Sequence, residues 1–498
     1  MENPIEFWNN VAMECNRLDH TGMMNGRNQK GPTLSSRALA IIHIGIHDAY
    51  VLAKRQVLSV STFNDPYLPL AMQPAFNTAP AANSKLVSAA VSAAASAIML
   101  SLYPSLKDLI DSSFDKICEM NGDDLAGHRF GQQIARNVIK LRSNDGAISD
   151  PDPEAPAYKA SAAFGRHRED PLTRGQGFAG VGYGGVRMFA CNTWHVLDHY
   201  PNTNTPAYLA DHQEVRTKGA SPSSKVVDRT PEETLKGIYW AYDGANQIGT
   251  PPRLYNQVVR TVAKSKSLDM DQLNRLLLYI NLAMADAGIH AWFYKYHFDL
   301  WRPVVGVREF DSSMGPGSTS AGNPVNVDCD PFWRPLGAPK TNMADAPVRT
   351  FTPNFPAYPS GHATFGAAAF QVTRLFLEKI SKAIIKPDKT DNIAFDFVSD
   401  ELNGKSLDPD DTVRTRHVRH FTGLHEAIYE NSISRIFLGV HWRFDGTSAQ
   451  NAKDALKGND NIGGVPLGLA IANDIISQPT IGPSPATVVA PAFQTSPT

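Results

Sequence analysis

The sequence is poor in cysteine and contains no paired cysteine motif. Its 498 residues include four widely separated cysteines, none of them in a Cys-x-x-Cys pair: Cys15, Cys118, Cys191 and Cys329. This spacing argues against a zinc site or a dense disulfide framework and favours reduced thiols, with two long-range bridges left open.

A large excess of charge of either sign is also missing. Lys and Arg number 47 and Asp and Glu number 49, which gives a formal net charge of −2. A nucleic-acid-binding protein or a polybasic membrane-surface protein would need a basic surplus. We therefore expect neither nucleic acid nor a charged membrane surface as a partner.

The sequence shows no targeting segment and no strong membrane span. The N-terminus, MENPIEFWNN, has no basic cluster and no apolar run, so we expect a cytoplasmic protein without a signal peptide, with unconventional export left open. The longest uncharged run, residues 86–106, is rich in Ala and Ser. Its weak hydrophobicity predicts a tightly packed buried helix of a soluble protein rather than a membrane span.

Apolar residues recur at helical steps, whereas convincing strands are rare. Helices are predicted around residues 36–52, 84–104, 106–143, 231–247 and 268–298. The first of them carries His43 and His47 four residues apart. With no third ligand nearby, we interpret this pair as core histidines rather than as a metal site.

Glycine (36 residues) and proline (35 residues) mark long irregular segments between the helices. These segments lie at residues 144–185, 309–359 and 386–416. Loops of such length inside a compact domain are commonly functional, and the glycines of GFAGVGYGG suggest an irregular surface or a pocket lid. Length alone allows about three domains. We nevertheless interpret residues 1–478 as one helical domain and residues 479–498 as a Pro/Thr-rich tail.

The first segment with unusual chemistry begins at Lys295 and ends at Pro303. Lys295 continues the apolar stripe of the 268–298 helix, and a buried ammonium needs a counter-charge. Arg302 follows seven residues later. If the helix continues, the two cations point the same way, and Pro303 then ends it. Two cations at one place suggest an anion site, although side chains that extend to solvent at a helix end would fit this segment equally well.

The second segment is the run from Phe355 to His362, which leads into an apolar helical pattern. Its prolines favour an extended approach, and Ser360 is suited to begin the helix. A helix N-terminus presents free N–H groups, and Gly361 lets a ligand approach the backbone closely. His362 lies on the inward stripe, where it could serve as an acid or base.

The third segment extends from Arg435 to Asp445. Arg435 shares an apolar helical stripe, so it is predicted to face inward. His441 would point elsewhere on an unbroken helix, but Gly439 offers a helix end that could turn it toward the same site. Asp445 could hold the second imidazole nitrogen, or it could be an ordinary surface aspartate.

Together these segments supply guanidinium groups, an ammonium, a helix-start amide and two histidines. Such groups suit a tetrahedral oxyanion, such as phosphate or vanadate. The motifs contain no conspicuous carboxylate partner, so the buried cations call for a multiply charged anion.

The pattern K-x6-RP, then PSGH, then SR-x5-H-x3-D resembles the superfamily of type 2 phosphatidic acid phosphatases and vanadium haloperoxidases. The resemblance to vanadium-dependent chloroperoxidases extends to FWNN, LSSRALAIIHIGIHDAY, YWAYDGANQIGTPPRLYNQVVR and DAGIHAWFYKYHFDLWRP. It covers most of the chain and is weakest in the loops and the tail. It implies an all-α fold of two four-helix bundles.

The resemblance also implies a cofactor, vanadate, and a role for each site residue. His441 would coordinate vanadium, and His362 would act as the acid–base group toward hydrogen peroxide. Asp243 would hold Arg435. The oxyanion would be bound by the following groups: Lys295, Arg302, Ser360, the Gly361 amide and Arg435. Vanadium would act as a Lewis acid, a halide would be oxidised to hypohalous acid, and a small organic acceptor would be halogenated.

The resemblance makes one position informative about the halide. Bromoperoxidases of the superfamily have a histidine five residues before the PSGH serine, where this sequence has Phe355. Trp292 matches an aromatic residue of the chloroperoxidase pocket. An apolar aromatic wall would keep the site dry, which suits chloride as well as bromide. We therefore expect a chloroperoxidase that also accepts bromide.

Three alternatives stay open at the level of the sequence. A vanadium bromoperoxidase or a soluble acid phosphatase could use the same pocket, with His441 as the nucleophile in the phosphatase. A phosphate-binding helical protein is disfavoured, because binding alone needs no pair of histidines. Phosphate could also occupy the pocket of the apo-protein.

Overall fold

The computed structural model describes residues 1–21, 28–58, 65–75, 84–147, 158–344, 346, 348–458 and 460–491. In this part of the chain the regular secondary structure is almost entirely helical, which confirms the expected all-α class. The helices are α1 Pro4–Asp19, α2 Gly31–Leu58, α3 Ser84–Leu102, α4 Lys107–Asn121, α5 Leu125–Arg142, α6 Pro206–Lys218, α7 Pro231–Tyr239, α8 Pro251–Ser265, α9 Met270–Phe298, α10 Pro303–Gly306, α11 Gly361–Lys379, α12 Leu424–Phe437, α13 Arg443–Gly446, α14 Ala452–Ala455 and α15 Gly464–Ser477.

Two small antiparallel sheets and four short 3-10 helices accompany these helices in the described residues. Strand β1 (Ala338–Pro339) pairs with β2 (Thr350–Phe351), and β3 (Phe395–Phe397) pairs with β4 (Arg419–Phe421). They lie within the long loops, so they fasten loop segments together and form no layer of their own.

The helices form two packed groups that meet along α9. In the first group, α2 packs against α3 and α5, and α4 joins α3. In the second, α11 packs against α8, α9, α12 and α15. Because α9 also contacts α2, one continuous hydrophobic core extends from Ile5 to Ile481.

Small residues allow two of the closest helix contacts. Gly127 and Gly131 of α5 face the backbone of α3 at Leu86 and Ala90, with no room for a larger side chain. On the second group, a Cβ atom at Gly464 of α15 would lie 2.5 Å from the carbonyl oxygen of Ser360. Helix α15 therefore lies directly behind the start of α11.

Among the described residues, two helices are long and apolar enough to cross a membrane by length and composition: Lys85–Leu102 and Met270–Phe298. The apolar window of the second is completely buried inside the protein, and that of the first is two-thirds buried. Both therefore serve as core helices of the fold.

Several sequence expectations need correction. The helix expected over residues 106–143 is two helices, because Gly122 adopts a φ of +80° and turns the chain between α4 and α5. The helix expected over residues 231–247 ends at Tyr239. Helix α9 ends at Phe298 with Asp299 in the left-handed region, so Arg302 lies outside it in extended backbone. A continuous helix therefore does not explain why Arg302 lies near Lys295.

His43 and His47 are core histidines, as expected. The Nδ1 of His43 donates to the carbonyl of Leu39, and the Nε2 of His47 donates to that of Asp65. Residues 479–491 contain no helix but lie against the body, where the Ser484 amide donates to the Phe189 carbonyl. The four cysteines are free.

Candidate active site

The second helical group surrounds a pocket with an empty volume of about 670 Å³. Its walls come from segments far apart in sequence, including the start of α2, the loops before α8 and α11, and the segment after α12. Polar and charged residues of its lining include Asp243, His362, Arg435 and His441, whereas its apolar lining includes Trp292, Phe355 and Phe365. Ala179 of the glycine-rich run also lines it.

His441 enters the pocket because α12 ends just before it. Gly439 has a φ of +69° and turns the chain, as the sequence indicated. The Nε2 of His441 lies 3.0 Å from Nη1 of Arg302, and its Nδ1 lies 2.7 Å from Oδ2 of Asp445. A guanidinium can only donate, so Nε2 carries the lone pair and Nδ1–H donates to Asp445. The ring is therefore held in the tautomer that a ligand at Nε2 requires.

Arg302 is almost completely buried and holds three segments together. Its Nε donates to the carbonyl of Phe355, and its Nη1 donates to the carbonyl of Val440 as well as to His441. Its Nη2 is buried without a hydrogen-bond acceptor among the described residues. A buried guanidinium donor without an acceptor is costly, which makes this atom suited to an anionic ligand.

Arg435 lines the pocket and is oriented by one carboxylate. Its Nη2 donates to both oxygens of Asp243, at 2.9 and 3.0 Å. Its Nε and Nη1 are buried and have no acceptor in the described part of the chain. Asp243 thus balances one charge and leaves two donors of Arg435 for a ligand.

Lys295 is fully buried, but its ammonium group is already occupied. Nζ donates to the backbone carbonyls of Pro356, Ala357 and Pro359 at 2.6–3.1 Å, which uses all three of its N–H bonds. Burial and the neighbouring Arg302 lower the pKa of Lys295 well below its ordinary value. In this structure Lys295 therefore braces the extended segment before α11 and adds positive potential to the site.

The start of α11 is built as the sequence predicted. Ser360 is the N-cap, and its Oγ accepts from the Ala363 amide at 3.4 Å. The Ser360 amide donates to the backbone carbonyl of Asp445 at 2.7 Å, which ties this helix to the His441 segment. A Cβ atom at Gly361 would lie 3.2 Å from the ring of Trp292. A larger side chain would press against this ring, so glycine leaves the most space beside the helix-start amides.

His362 lies in the first turn of α11 and lines the pocket. Its Nε2–H donates to the carbonyl of Ala241 at 2.6 Å, so Nδ1 is the nitrogen left to accept a proton. Burial and the positive charge of Arg435 lower the pKa of His362 well below its usual range. The ring is therefore neutral near pH 7.

Two residues that support His362 were not singled out from the sequence. Asn431 Nδ2 donates to the His362 carbonyl at 2.8 Å, and the single proton of the Tyr255 hydroxyl is shared between that carbonyl and Asn431 Oδ1, each 3.0 Å away. Tyr255 lies within the stretch YWAYDGANQIGTPPRLYNQVVR, which resembles the chloroperoxidases, and Asn431 lies four residues before Arg435. Nothing in their local pattern indicates a shared partner more than 60 residues away in sequence.

Aromatic rings give the pocket an apolar wall next to its cationic groups. The ring centroids of Trp292 and Phe355 are 4.8 Å apart. The Phe355 ring also lies 4.9 Å from the Arg302 guanidinium and 5.0 Å from the Lys295 ammonium. The expected aromatic pair therefore borders the cationic site directly.

The hydrogen-bond donors and the histidine lone pair of the site are of the types that vanadate would bind. His441 and Arg435 line the pocket, whereas Arg302 is not among the lining residues and reaches the site through its contact with His441. Together they offer a lone pair on His441 and three buried guanidinium nitrogens without acceptors among the described residues, one on Arg302 and two on Arg435. A tetrahedral oxyanion would satisfy these donors, and an imidazole nitrogen is a suitable metal ligand.

Family models match two long parts of the chain. The vanadium chloroperoxidase N-terminal domain matches residues 1–173, and the VCPO second helical-bundle domain matches residues 275–455. The chain is also 33% identical to the vanadium chloroperoxidase of Curvularia inaequalis, over 97% of this chain and 92% of that protein.

Solved structures share the fold. A bacterial vanadium-dependent iodoperoxidase aligns with a TM-score of 0.61 at 17% identity, covering 97% of this chain and 96% of its own. The holo form of a bacterial vanadium-dependent chloroperoxidase aligns with a TM-score of 0.53 at 16% identity, covering 90% and 93%. The family match and the site chemistry agree, and the chain belongs to the vanadium chloroperoxidase family as a vanadium-dependent haloperoxidase.

Proposed function

We propose that this haloperoxidase oxidises chloride as well as bromide. The observation that carries the proposal is the contact between Trp292 and Phe355 beside the buried cations. An apolar wall next to positive charge attracts a halide and removes part of its hydration shell, which favours oxidation of the more strongly hydrated chloride. The chloroperoxidase from Curvularia inaequalis, as a relative of the whole chain, supports the same halide class.

Vanadate binding is assigned to the histidine lone pair to which Arg302 donates in this structure and to the guanidinium nitrogens that lack acceptors among the described residues. His441 Nε2 would ligate vanadium, and Arg302 Nη2 with Arg435 Nε and Nη1 would bind its oxygens. The Ser360 hydroxyl and the Gly361 amide lie at the helix start that favours anions. When bound, vanadate supplies Lewis-acid activation of hydrogen peroxide.

The remaining residues position or move protons. His362 Nδ1 is the acceptor available to take a proton from hydrogen peroxide, because Nε2–H is held by the Ala241 carbonyl. Asp243 keeps Arg435 in place. We assign Lys295 to bracing residues 356–359 and to charge compensation, since its N–H bonds already have acceptors.

Phosphate is proposed as a competitor for the same pocket, because it shares the tetrahedral oxyanion chemistry of vanadate. Apo-protein should gain halide- and peroxide-dependent halogenation of a phenolic dye when orthovanadate is added, and phosphate should slow that gain.

Halogenation with bromide but not with chloride would overturn the proposed halide class.

The halide preference is tested by Phe355→His. An imidazole at this position makes the wall more polar, so the ratio of kcat/KM for bromide to that for chloride should rise by on the order of tenfold. Phe351→His is the control, because Phe351 lines the same pocket but has no ring contact with Trp292 among the described aromatic pairs. An unchanged ratio in Phe355→His would remove Phe355 from the argument.

A further inference from the structure

The turn between α4 and α5 brings together three side chains that can bind a metal. Cys118 lies in the last turn of α4, Asp123 in the turn, and His128 in the first turns of α5. The three have a Cys-x4-Asp-x4-His spacing, and one ligand atom of each lies within 4.8 Å of the other two. Helices α4 and α5 contribute no residue to the oxyanion pocket.

One imidazole nitrogen faces both of the other ligand atoms. The Nε2 of His128 is 3.8 Å from Sγ of Cys118 and 3.1 Å from Oδ1 of Asp123. In a tetrahedral zinc site, bonds of about 2.3 Å to sulfur and about 2.0–2.1 Å to nitrogen and oxygen separate these ligand atoms by roughly 3.3–3.6 Å. The observed distances differ from these ligand–ligand distances by a few tenths of an ångström, and small side-chain rotations can close that difference.

Helix packing and the turn position the three ligands before any metal arrives. Gly122 has a φ of +80°, and the Asp124 carboxylate caps α5 by accepting from the Gly127 amide at 2.8 Å. The ring of His128 lies 5.1 Å from that of Phe114 of α4. The turn is thus shaped by residues other than the ligands, so the ligands can be replaced without removing its supports.

Charge and access favour this cluster over a second one of similar composition. A thiolate from Cys118, a carboxylate from Asp123 and a neutral imidazole would exactly neutralise a divalent cation. The second cluster, Cys191 with His195 and Asp474, is more buried and places its thiol beside another carboxylate, Asp286. The Asp123 side chain is 70% exposed, so metal and a fourth, water ligand can enter from solvent.

We propose that Cys118, Asp123 and His128 form a site for a divalent late transition metal such as Zn²⁺, with water as the fourth ligand. Sulfur with nitrogen selects such ions over Mg²⁺ and Ca²⁺, which prefer oxygen ligands. On binding, the Cys118 S–H bond breaks, its proton goes to the buffer, and sulfur donates its electron pair to the metal. No oxidant or reductant takes part.

Titration of the full-length, reduced, metal-free protein with Co²⁺ tests the proposal directly. Tetrahedral Co²⁺ with a thiolate ligand gives a near-ultraviolet charge-transfer band and visible d–d bands, and Zn²⁺ should displace it. Cys118→Ser should abolish the charge-transfer band. Asp123→Asn and His128→Gln should each weaken Co²⁺ binding by at least about tenfold.

Cys191→Ser is the matched control and should leave the Co²⁺ spectrum unchanged. Haloperoxidase activity of each variant reports that the chain is folded, and it should be retained in the three variants of the α4–α5 turn. A charge-transfer band that survives Cys118→Ser but disappears in Cys191→Ser would overturn the proposal, as would a wild-type protein that shows no such band with excess Co²⁺.

Discussion

At the scale of single residues, carboxylates orient the groups that face the pocket. Asp445 accepts from Nδ1–H of His441, which keeps the lone pair on its other nitrogen, where Arg302 donates to it in this structure, and Asp243 fixes Arg435 in the same manner. Orientation of a ligand by a carboxylate is a common device in metal sites. The carboxylates therefore set the geometry that vanadate would use, without being ligands themselves.

Exchange of the two histidines for alanine should separate binding from chemistry. His441→Ala removes the only proposed vanadium ligand, so vanadate affinity and activity should fall together, by at least about 100-fold. His362→Ala should bind vanadate nearly as well but halogenate about 100-fold or more slowly, because it lacks the proton acceptor. Vanadate titration by calorimetry and steady-state rates measure the two effects. Equal vanadate affinity in wild type and His441→Ala would reject the ligand assignment.

Asp445→Asn tests the orientation of His441. An amide can also present N–H groups to Nδ1, so the required tautomer loses its preference, and vanadate affinity should fall by roughly 10–100-fold. Asp454→Asn changes an exposed carboxylate outside the pocket and serves as the control. If both variants bind vanadate like wild type, the hydrogen bond does not orient the ligand.

Local rules explain which residues could be predicted from the sequence. The N-cap at Ser360 and the turn at Gly439 depend on neighbours within a few positions, and both agree with the structure. For Asp445 the sequence left two interpretations open, and the structure shows the contact with His441. The bracing by Lys295 was not predicted, because its acceptors are carbonyls 61–64 residues away whose orientation depends on the complete fold.

At the scale of elements, small residues decide how closely the helices approach. The Ala-rich helix α3 was predicted to be tightly packed, and Gly127 and Gly131 of α5 lie against its backbone. The sequence did not indicate that α4 and α5 are separate, because their apolar pattern continues across Gly122. Only the positive φ of that glycine reverses the chain there.

Gly131→Ala should destabilise the protein even though alanine favours helices by about 1 kcal/mol. The new methyl group would overlap the Ala90 carbonyl and Cβ of Ala93, so the two helices must separate, at a cost of about 1–3 kcal/mol. Urea unfolding measures the difference. Ala126→Gly, at an exposed position on the same helix, should cost no more than about 1 kcal/mol. A Gly131→Ala protein as stable as wild type would show that the contact can relax freely.

At the scale of the whole molecule, one core joins both helical groups, and titratable groups are buried within it. Burial lowers the pKa of His43 to about 4 and that of His290 to about 3, so both are neutral in the folded protein. Between pH 6.5 and these lowered pKa values, the two histidines bind more protons in the unfolded chain than in the folded protein. They therefore reduce the free energy of unfolding as pH falls. Burial of Asp48 raises its pKa to about 7 and acts in the opposite direction.

The contribution of one histidine can be isolated as a difference between variants. His43→Gln should lower the free energy of unfolding near pH 7, because the hydrogen bonds to Leu39 and Asn9 are disturbed. Near pH 4.5 the stability difference between wild type and His43→Gln should shrink by about 1–3 kcal/mol. At this pH the imidazole of His43 is protonated in the unfolded wild type but neutral when folded, which destabilises the wild type and not the variant. Urea unfolding at both pH values is the measurement, with exposed His420→Gln as the control. A deficit that is independent of pH would contradict the argument.

The close approach of Gly464 to Ser360 has a consequence for any attempt to shorten this protein. A fragment ending near residue 455 would contain every side chain that we assign to vanadate, and it would satisfy the family model of the second bundle. It would nevertheless lack α15, the surface that supports the first turn of α11 from behind. Inactivity of such a fragment would therefore indicate loss of the support behind α11 rather than loss of a catalytic group. Minimal versions of the enzyme should be designed to extend through Ser477.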